Sequence, residues 1–287
     1  MSSQRPSFAN DAWPGNTLIT GGKGYAPTPM GQIHYRVVGP DNPKGVFVLL
    51  HQSQMSLVQY GETQEELASL GYRSVALDTP GHGMSDLPPT QPTLDQLADN
   101  ILPVLDHLKV TAFFVAGHHS GAALSASLAA RYPDRVSALI LHGVPLFSDE
   151  ERARIKQMVL YNRTPRADGA HLGGWFRPFP GDVPSDAATL NSRTWMLLSL
   201  YMMGPDVGKP AVFDFDMETA LRQVKAPTLL LTDEADPIHG QDERVAKLRP
   251  DFTYRVFSRN GPMSQMNEPK RWAGTLADFV GALGRTG

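Results

Sequence analysis

The residues best suited to chemistry lie in one stretch, Phe113-Phe114-Val115-Ala116-Gly117-His118-His119-Ser120-Gly121. An apolar, β-rich run ends in glycine, a tight turn follows, and small residues then open a helix running to about Arg131. Glycines two residues either side of a central position let strand and helix pack closely around a strained turn, as in the Gly-x-Ser-x-Gly turns that present a nucleophile. Here the residue between Gly117 and Gly121 is His119, and the usual serine is absent. Centring the turn on Ser120 would place bulky His118 where a small residue is needed. An imidazole titrates near neutral pH and can act as general acid or base. Asp236, in Thr232-Asp233-Glu234-Ala235-Asp236-Pro237, follows a later apolar run. On its own Asp236 reads as a turn residue, because Asp-Pro commonly starts turns.

Four further histidines, His51, His118, His142 and His239, fall at or just after the carboxyl ends of expected strands, where parallel sheets bind ligands. They are candidate pocket residues, although local hydrogen bonding is the simpler role for His51 and His118. A metal is conceivable from this set. Ligand pairs at regular helical spacing are lacking, so none is expected. His82, within Gly81-His82-Gly83, is expected to be structural. The absence of cysteine excludes thiol catalysis, disulfides and cysteine-ligated zinc.

The elements that must position these groups are legible as alternating strands and helices. Gln32 to Val38 alternates like a half-buried strand. Val46 to Leu50, Arg73 to Leu77, Phe113 to Ala116, Ser137 to Leu141 and Thr228 to Leu231 are apolar runs of the kind buried on both faces of a parallel sheet. Thr93 with Gln96 resembles a capping box and predicts a helix to about Leu108. Further helices are expected over Glu62 to Leu70, from about Gln241, and over Pro269 to Leu283, with a strand over Thr253 to Ser258. Residues 1–16 read as an irregular arm. From 144 to 215 the pattern breaks into charged helical segments, a Gly- and Pro-rich piece around Trp175, and Trp195-Met196-Leu197-Leu198-Ser199-Leu200-Tyr201-Met202-Met203. That last piece suits a buried helix, a lining for an apolar ligand, or both. The expected architecture is therefore α/β, a mostly parallel doubly wound sheet from 1–143 and 216–287 with a helical cap over 144–215.

The chain has 287 residues, 41% hydrophobic and 19% charged, with a formal charge of −3. That balance gives no electrostatic footprint for nucleic acid or an anionic membrane. No run approaches a membrane span and the start lacks a signal-peptide core, so a cytoplasmic protein with a small-molecule partner is expected. Oligomeric state is left open.

Leu49-Leu50-His51-Gln52, Asp78-Thr79-Pro80-Gly81-His82-Gly83-Met84-Ser85, the turn at His119 with Tyr132-Pro133-Asp134-Arg135-Val136 behind it, and Thr232 to Pro237 occur in order. On these motifs the chain resembles the α/β-hydrolase fold, in its epoxide-hydrolase and C–C-hydrolase-like branch, over about residues 25 to 283. The spacing to Pro133 agrees with a turn centred on His119. The resemblance implies a nucleophile–acid–histidine triad with Asp236 as the acid, whose carboxylate could accept the His119 N–H, fix its tautomer and raise its basicity. It also implies an oxyanion hole from backbone N–H groups at Ser120 and near Gln52 and Ser53. Counting back from Glu268-Pro269 puts Pro262 where the catalytic histidine belongs. Nucleophile and base are thus both changed, and a serine without an adjacent base is not activated.

These observations lead to a cofactor-independent enzyme acting on a largely apolar small molecule. His119 is expected as acid–base residue oriented by Asp236, with Ser53, Gln52 and Ser120 around the oxyanion. His51, His118, His142, Trp175, Trp195, Met196, Tyr201, His239 and Pro262 are expected to line the pocket. The reaction is cleavage of an activated ester, lactone or C–C bond, or a lyase or isomerase step. Attack by Ser120 with His119 as its neighbouring base is a second mechanism. A binding protein that kept the pocket and lost the triad is the alternative from another class.

Overall fold

The computed structural model describes residues 22–157, 166–168, 187–258 and 263–284. The expected N-terminal arm, Trp175 and Pro262 lie outside the described residues. Eight strands form one sheet: β1 Gly22–Thr28, β2 Gly31–Val38, β3 Val46–Leu50, β4 Arg73–Leu77, β5 Phe113–His118, β6 Val136–His142, β7 Thr228–Asp233 and β8 Thr253–Ser258. Their spatial order is β1-β2-β4-β3-β5-β6-β7-β8. The β1–β2 and β2–β4 pairs are antiparallel, and the remaining pairs are parallel.

The apolar runs are apolar throughout because each strand feeds two cores. Val48, Leu50, Val75, Leu77, Val115, Leu139, Leu141 and Leu230 belong to the core on one face. Their neighbours Phe47, Leu49, Ala76, Ala116, Ile140, Leu229 and Leu231 belong to the core on the other, together with Trp272 and Leu276 of the closing helix Pro269–Leu283. Successive side chains of a strand point to opposite faces, so both faces need apolar residues.

Two expectations differ from the structure. The helix starting at Thr93 is two helices, Leu94–Asp99 and Leu102–His107, with the capping box intact on the first. Pro103 lacks the N–H that a continuous helix would donate to Asp99, and its ring would crowd that carbonyl. Strand β1 has no counterpart among the expected elements. It pairs only with β2, and an edge strand tolerates proline.

Within the expected cap span, the described helices are Asp149–Gln157, Ala187–Met202 and Gly208–Asp214. Met196, Leu200 and Met203 pack against Met55 and Met263 of the sheet domain. A hydrogen bond at 3.2 Å joins Ser56 Oγ to Ser199 Oγ across the same seam. No helix among the described residues is long and apolar enough to cross a membrane.

The sheet order reverses between β3 and β5. Loops leaving these two strands diverge and open a crevice at their carboxyl ends. His51 to Gln54 and His118 to Ser120 are the residues that flank it.

Candidate active site

His119 occupies the step from β5 into the helix Ser120–Arg131, with φ 50° and ψ −112°. A non-glycine residue there carries strain on the order of 1–3 kcal/mol, tolerated only where the surroundings enforce it. The flanking glycines do so. A Cβ on Gly117 would stand 2.0 Å from the Gly121 carbonyl oxygen, and one on Gly121 would stand 2.0 Å from that of Leu50. Gly143, at φ +67°, leaves room beneath the ring: a Cβ there would lie 2.4 Å from His119 Cδ2 and 2.7 Å from Nε2.

His119 Nε2 donates to Asp236 Oδ2 at 2.8 Å, and Asp236 Oδ1 accepts the Ile238 N–H at 2.9 Å. Burial alone would raise the Asp236 carboxyl, but the His119 and His118 rings hold it well below the usual carboxylate range. Burial likewise disfavours a charged His119, yet the Asp236 carboxylate outweighs it and the imidazole is raised above its ordinary value. The side chain is 25% exposed. Nδ1 has no hydrogen-bond partner among the described residues. With Nε2–H given to the carboxylate, the remaining lone pair on Nδ1 is the form a general base requires.

The ring lines a cavity of about 420 Å³ that also includes Gln52, Ser53, His118, Ser120, Met196 and Asp236. Phe147, Ile155, Val212, Phe213, Ile238 and Met263 make most of its wall apolar, Arg154 of the helix Asp149–Gln157 brings positive charge, and Lys209 Nζ lies 3.8 Å from Asp206 Oδ2. Burial pushes the Lys209 ammonium down to about 7. A larger hollow of about 600 Å³, between Leu94, Arg131 and Phe215, contains neither a histidine nor the turn at His119.

The backbone N–H groups of Ser53 and Ser120 donate to no group among the described residues, and both residues line the cavity. Gln52 corrects the expected oxyanion hole. Its backbone N–H is given to Gln59 Oε1 at 3.0 Å, and its amide nitrogen reaches only Met263 Sδ at 3.8 Å. No imidazole hydrogen-bonds Ser120 Oγ among the described residues.

His118, His119 and Asp236 offer three ligand atoms within 4.8 Å of one another, enough to raise the question of a metal. The donor chemistry does not fit one. Gln59 Nε2 donates to His118 Nδ1 at 3.1 Å, so a neutral His118 carries its proton on Nε2, the atom facing Asp236. The two rings are also stacked, with centroids 4.1 Å apart and planes 24° apart. A metal between stacked rings would lie off both in-plane lone pairs.

Other expected pocket residues are elsewhere. His51 braces two loops, donating from Nδ1 to the Gln52 carbonyl at 2.7 Å and accepting the Thr79 N–H at Nε2 at 3.0 Å. His142 is wholly buried; its Nδ1 accepts from Trp272 Nε1 at 3.1 Å and its Nε2 lies 3.3 Å from Asp233 Oδ2. His239 bonds Thr232 Oγ1 at 2.9 Å at the start of its helix, outside the cavity lining. Trp195 packs beside the methionine cluster, and Tyr201 is 39% exposed. A strand's carboxyl end thus gave the right neighbourhood without saying which face each ring takes. Gln59, Gly143, Arg154 and Lys209 went unnoticed in the sequence. Only Gly143, in a His-Gly step closing a strand, carried a local signal.

A fold and crevice of this kind define a class, and comparison with known proteins agrees. Residues 45–269 match the family model described as alpha/beta hydrolase fold, and the chain belongs to that family. The 2-hydroxy-6-oxononadienedioate/2-hydroxy-6-oxononatrienedioate hydrolase of Paraburkholderia phymatum is 24% identical over 282 residues, covering 87% of this chain and 91% of that protein. Epoxide hydrolase B of Mycobacterium tuberculosis is 32% identical over 108 residues, 37% of this chain and only 30% of that protein's length. Among solved structures, the enol-lactonase from Burkholderia xenovorans LB400 superposes with a TM-score of 0.70 at 20% identity, covering 90% of this chain and 99% of that one.

Proposed function

We propose that this chain is a hydrolytic enzyme in which His119 acts as general base on an activated carbonyl, an ester, an enol-lactone or a C–C bond beside a ketone. The observation that carries this reading is the 2.8 Å His119–Asp236 bond with Nδ1 left for the 420 Å³ cavity. In the first step Nδ1 takes a proton from water as its oxygen attacks the carbonyl carbon. The C=O electron pair moves to oxygen, and the Ser53 and Ser120 N–H groups receive the resulting oxyanion. Asp236 stabilises the imidazolium. Collapse of the adduct re-forms the carbonyl, expels the leaving group and returns the proton from Nδ1 to it. Each backbone donor is typically worth a few kcal/mol in such a step. No covalent enzyme intermediate is required, so the missing serine is not missed. Arg154 favours a substrate whose apolar body carries a negative group, and the hydrolases of dioate substrates and enol-lactones among the similar proteins support carbonyl cleavage.

The test is turnover of three probes, an enol-lactone, a vinylogous 1,5-diketone acid and p-nitrophenyl butyrate, by wild type and His119→Ala. Turnover of at least one probe by wild type, falling about 10²–10⁴-fold in the variant, is expected for loss of a general base. Equal turnover by both proteins removes His119 from the mechanism. Tight binding of a probe without turnover favours the binding-protein alternative.

A further inference from the structure

The carboxylate that holds His119 is approached by a second imidazole, and that imidazole is itself held. Gln52 N–H donates to Gln59 Oε1 at 3.0 Å, which fixes which end of the Gln59 amide points onward. The NH2 end then donates to His118 Nδ1 at 3.1 Å. His118 is 1% exposed, and burial, with the neighbouring His119 ring, pushes its imidazole down to about 3. It is therefore neutral, with its one proton on Nε2. That nitrogen stands 3.8 Å from Asp236 Oδ2, beyond hydrogen-bond length, while the His119 ring is stacked on the His118 ring at 4.1 Å.

From this chain of contacts we propose that Gln59 and His118 are positioning residues: Gln59 sets the His118 tautomer, and the His118 Nε2–H keeps Asp236 an acceptor for His119. The mechanistic consequence rests on His119 being the base. A donor aimed at Oδ2 favours the ionised carboxylate, and the ionised carboxylate favours the Nε2–H tautomer of His119 with its lone pair at Nδ1. The reversed His118 tautomer would set a nitrogen lone pair against Asp236 Oδ2, which disfavours the same charge. The distance of 3.8 Å matters in the other direction. His118 stays clear of the oxygen that His119 uses, so the two rings do not compete for it in the resting state. Other groups acting on this cluster are Asp242 and Asp233 near His119, His142 beside His118, and Arg154 and Lys209 across the cavity.

Gln59→Glu is the discriminating variant. It has the shape of glutamine, and one carboxylate oxygen still accepts the Gln52 N–H. The other oxygen requires a proton on His118 Nδ1. Nitrogen-detected NMR of histidine-labelled protein should find wild-type His118 unprotonated at Nδ1 and protonated at Nε2 from pH 5 to 9. In Gln59→Glu, Nδ1 should become protonated and the His119 titration midpoint should move down. If a probe is turned over, kcat should fall about 10–100-fold at constant KM, as for loss of an orienting partner. Gln59→Met, which removes the amide at similar length, should let His118 take both tautomers. Wild-type His118 protonated at Nδ1 overturns the proposal without any variant. So does a folded Gln59→Glu with unchanged His118 tautomer and His119 midpoint. The NMR result stands apart from turnover, so an inactive protein with the expected tautomers refutes the base mechanism and leaves the positioning intact.

Discussion

Gly143→Ala puts the His119–Asp236 pair under mechanical test. The new methyl would lie 2.4 Å from His119 Cδ2 and 2.7 Å from Nε2, distances no carbon contact sustains. Residue 143 must also keep φ +67°, which costs an alanine about 1–2 kcal/mol that glycine does not incur. If the ring stays, overpacking adds about 1–3 kcal/mol, for a total near 2–5 kcal/mol. The neighbouring clashes at Gly117 and Gly121 are with backbone carbonyls and cannot be relieved so simply. At Gly143 the obstacle is a side chain with 25% exposure, so the cheaper response is for the ring to tip into the cavity. That response breaks the 2.8 Å bond to Asp236 and leaves burial as the main influence on the imidazole. Expected outcomes are a stability loss nearer the strain figure of about 1–2 kcal/mol, a lowered His119 titration midpoint, and an activity loss approaching that of His119→Ala. Urea denaturation and histidine NMR read the first two directly. A variant of wild-type stability with an unmoved His119 midpoint would refute the packing argument.

Two other outcomes follow from the same geometry. Serine-directed fluorophosphonates should leave the protein unlabelled, because among the described residues no imidazole bonds Ser120 Oγ; stoichiometric labelling at Ser120 by mass spectrometry of a digest would restore a serine mechanism. The pair should also shape stability against pH. His119 is raised above the ordinary imidazole value of 6.5, so its contribution is complete below pH 6.5 and is lost as pH rises through the higher folded value. Asp236 is depressed below 3.8, so its contribution holds above pH 3.8 and is lost as pH falls through the lower folded value. Denaturation midpoints measured from pH 5 to 9 should therefore decline on the alkaline side, and His119→Gln should flatten that part of the decline; an identical alkaline slope in both proteins would contradict the linkage.

The sheet was readable because its strands are apolar on both faces, and the turn at His119 because two glycines bracket it at fixed spacing. Asp236 was readable from its place after β7, which the topology brings beside β5 through β6. What stayed hidden depends on facing and packing. His142 and His118 end adjacent strands in register with their rings 5.2 Å apart, yet one ring is bonded to Trp272 and the other is stacked on His119 in the cavity lining. Gln59 sits in a short 3-10 turn, where a buried glutamine has no periodic signature. The same applies to Gln52: its position suggested an oxyanion donor, and only the Gln59 contact shows the N–H already taken.

On the proposed mechanism Asp236 holds His119 as a base at the 420 Å³ cavity. Its most direct test is the His119 titration, followed by NMR in wild type and in Asp236→Asn. In wild type the midpoint should lie above that of a free histidine, because the carboxylate outweighs burial. In Asp236→Asn the attraction is gone and burial remains, so the midpoint should fall below the free value. Superimposable titration curves in the two proteins would contradict the account.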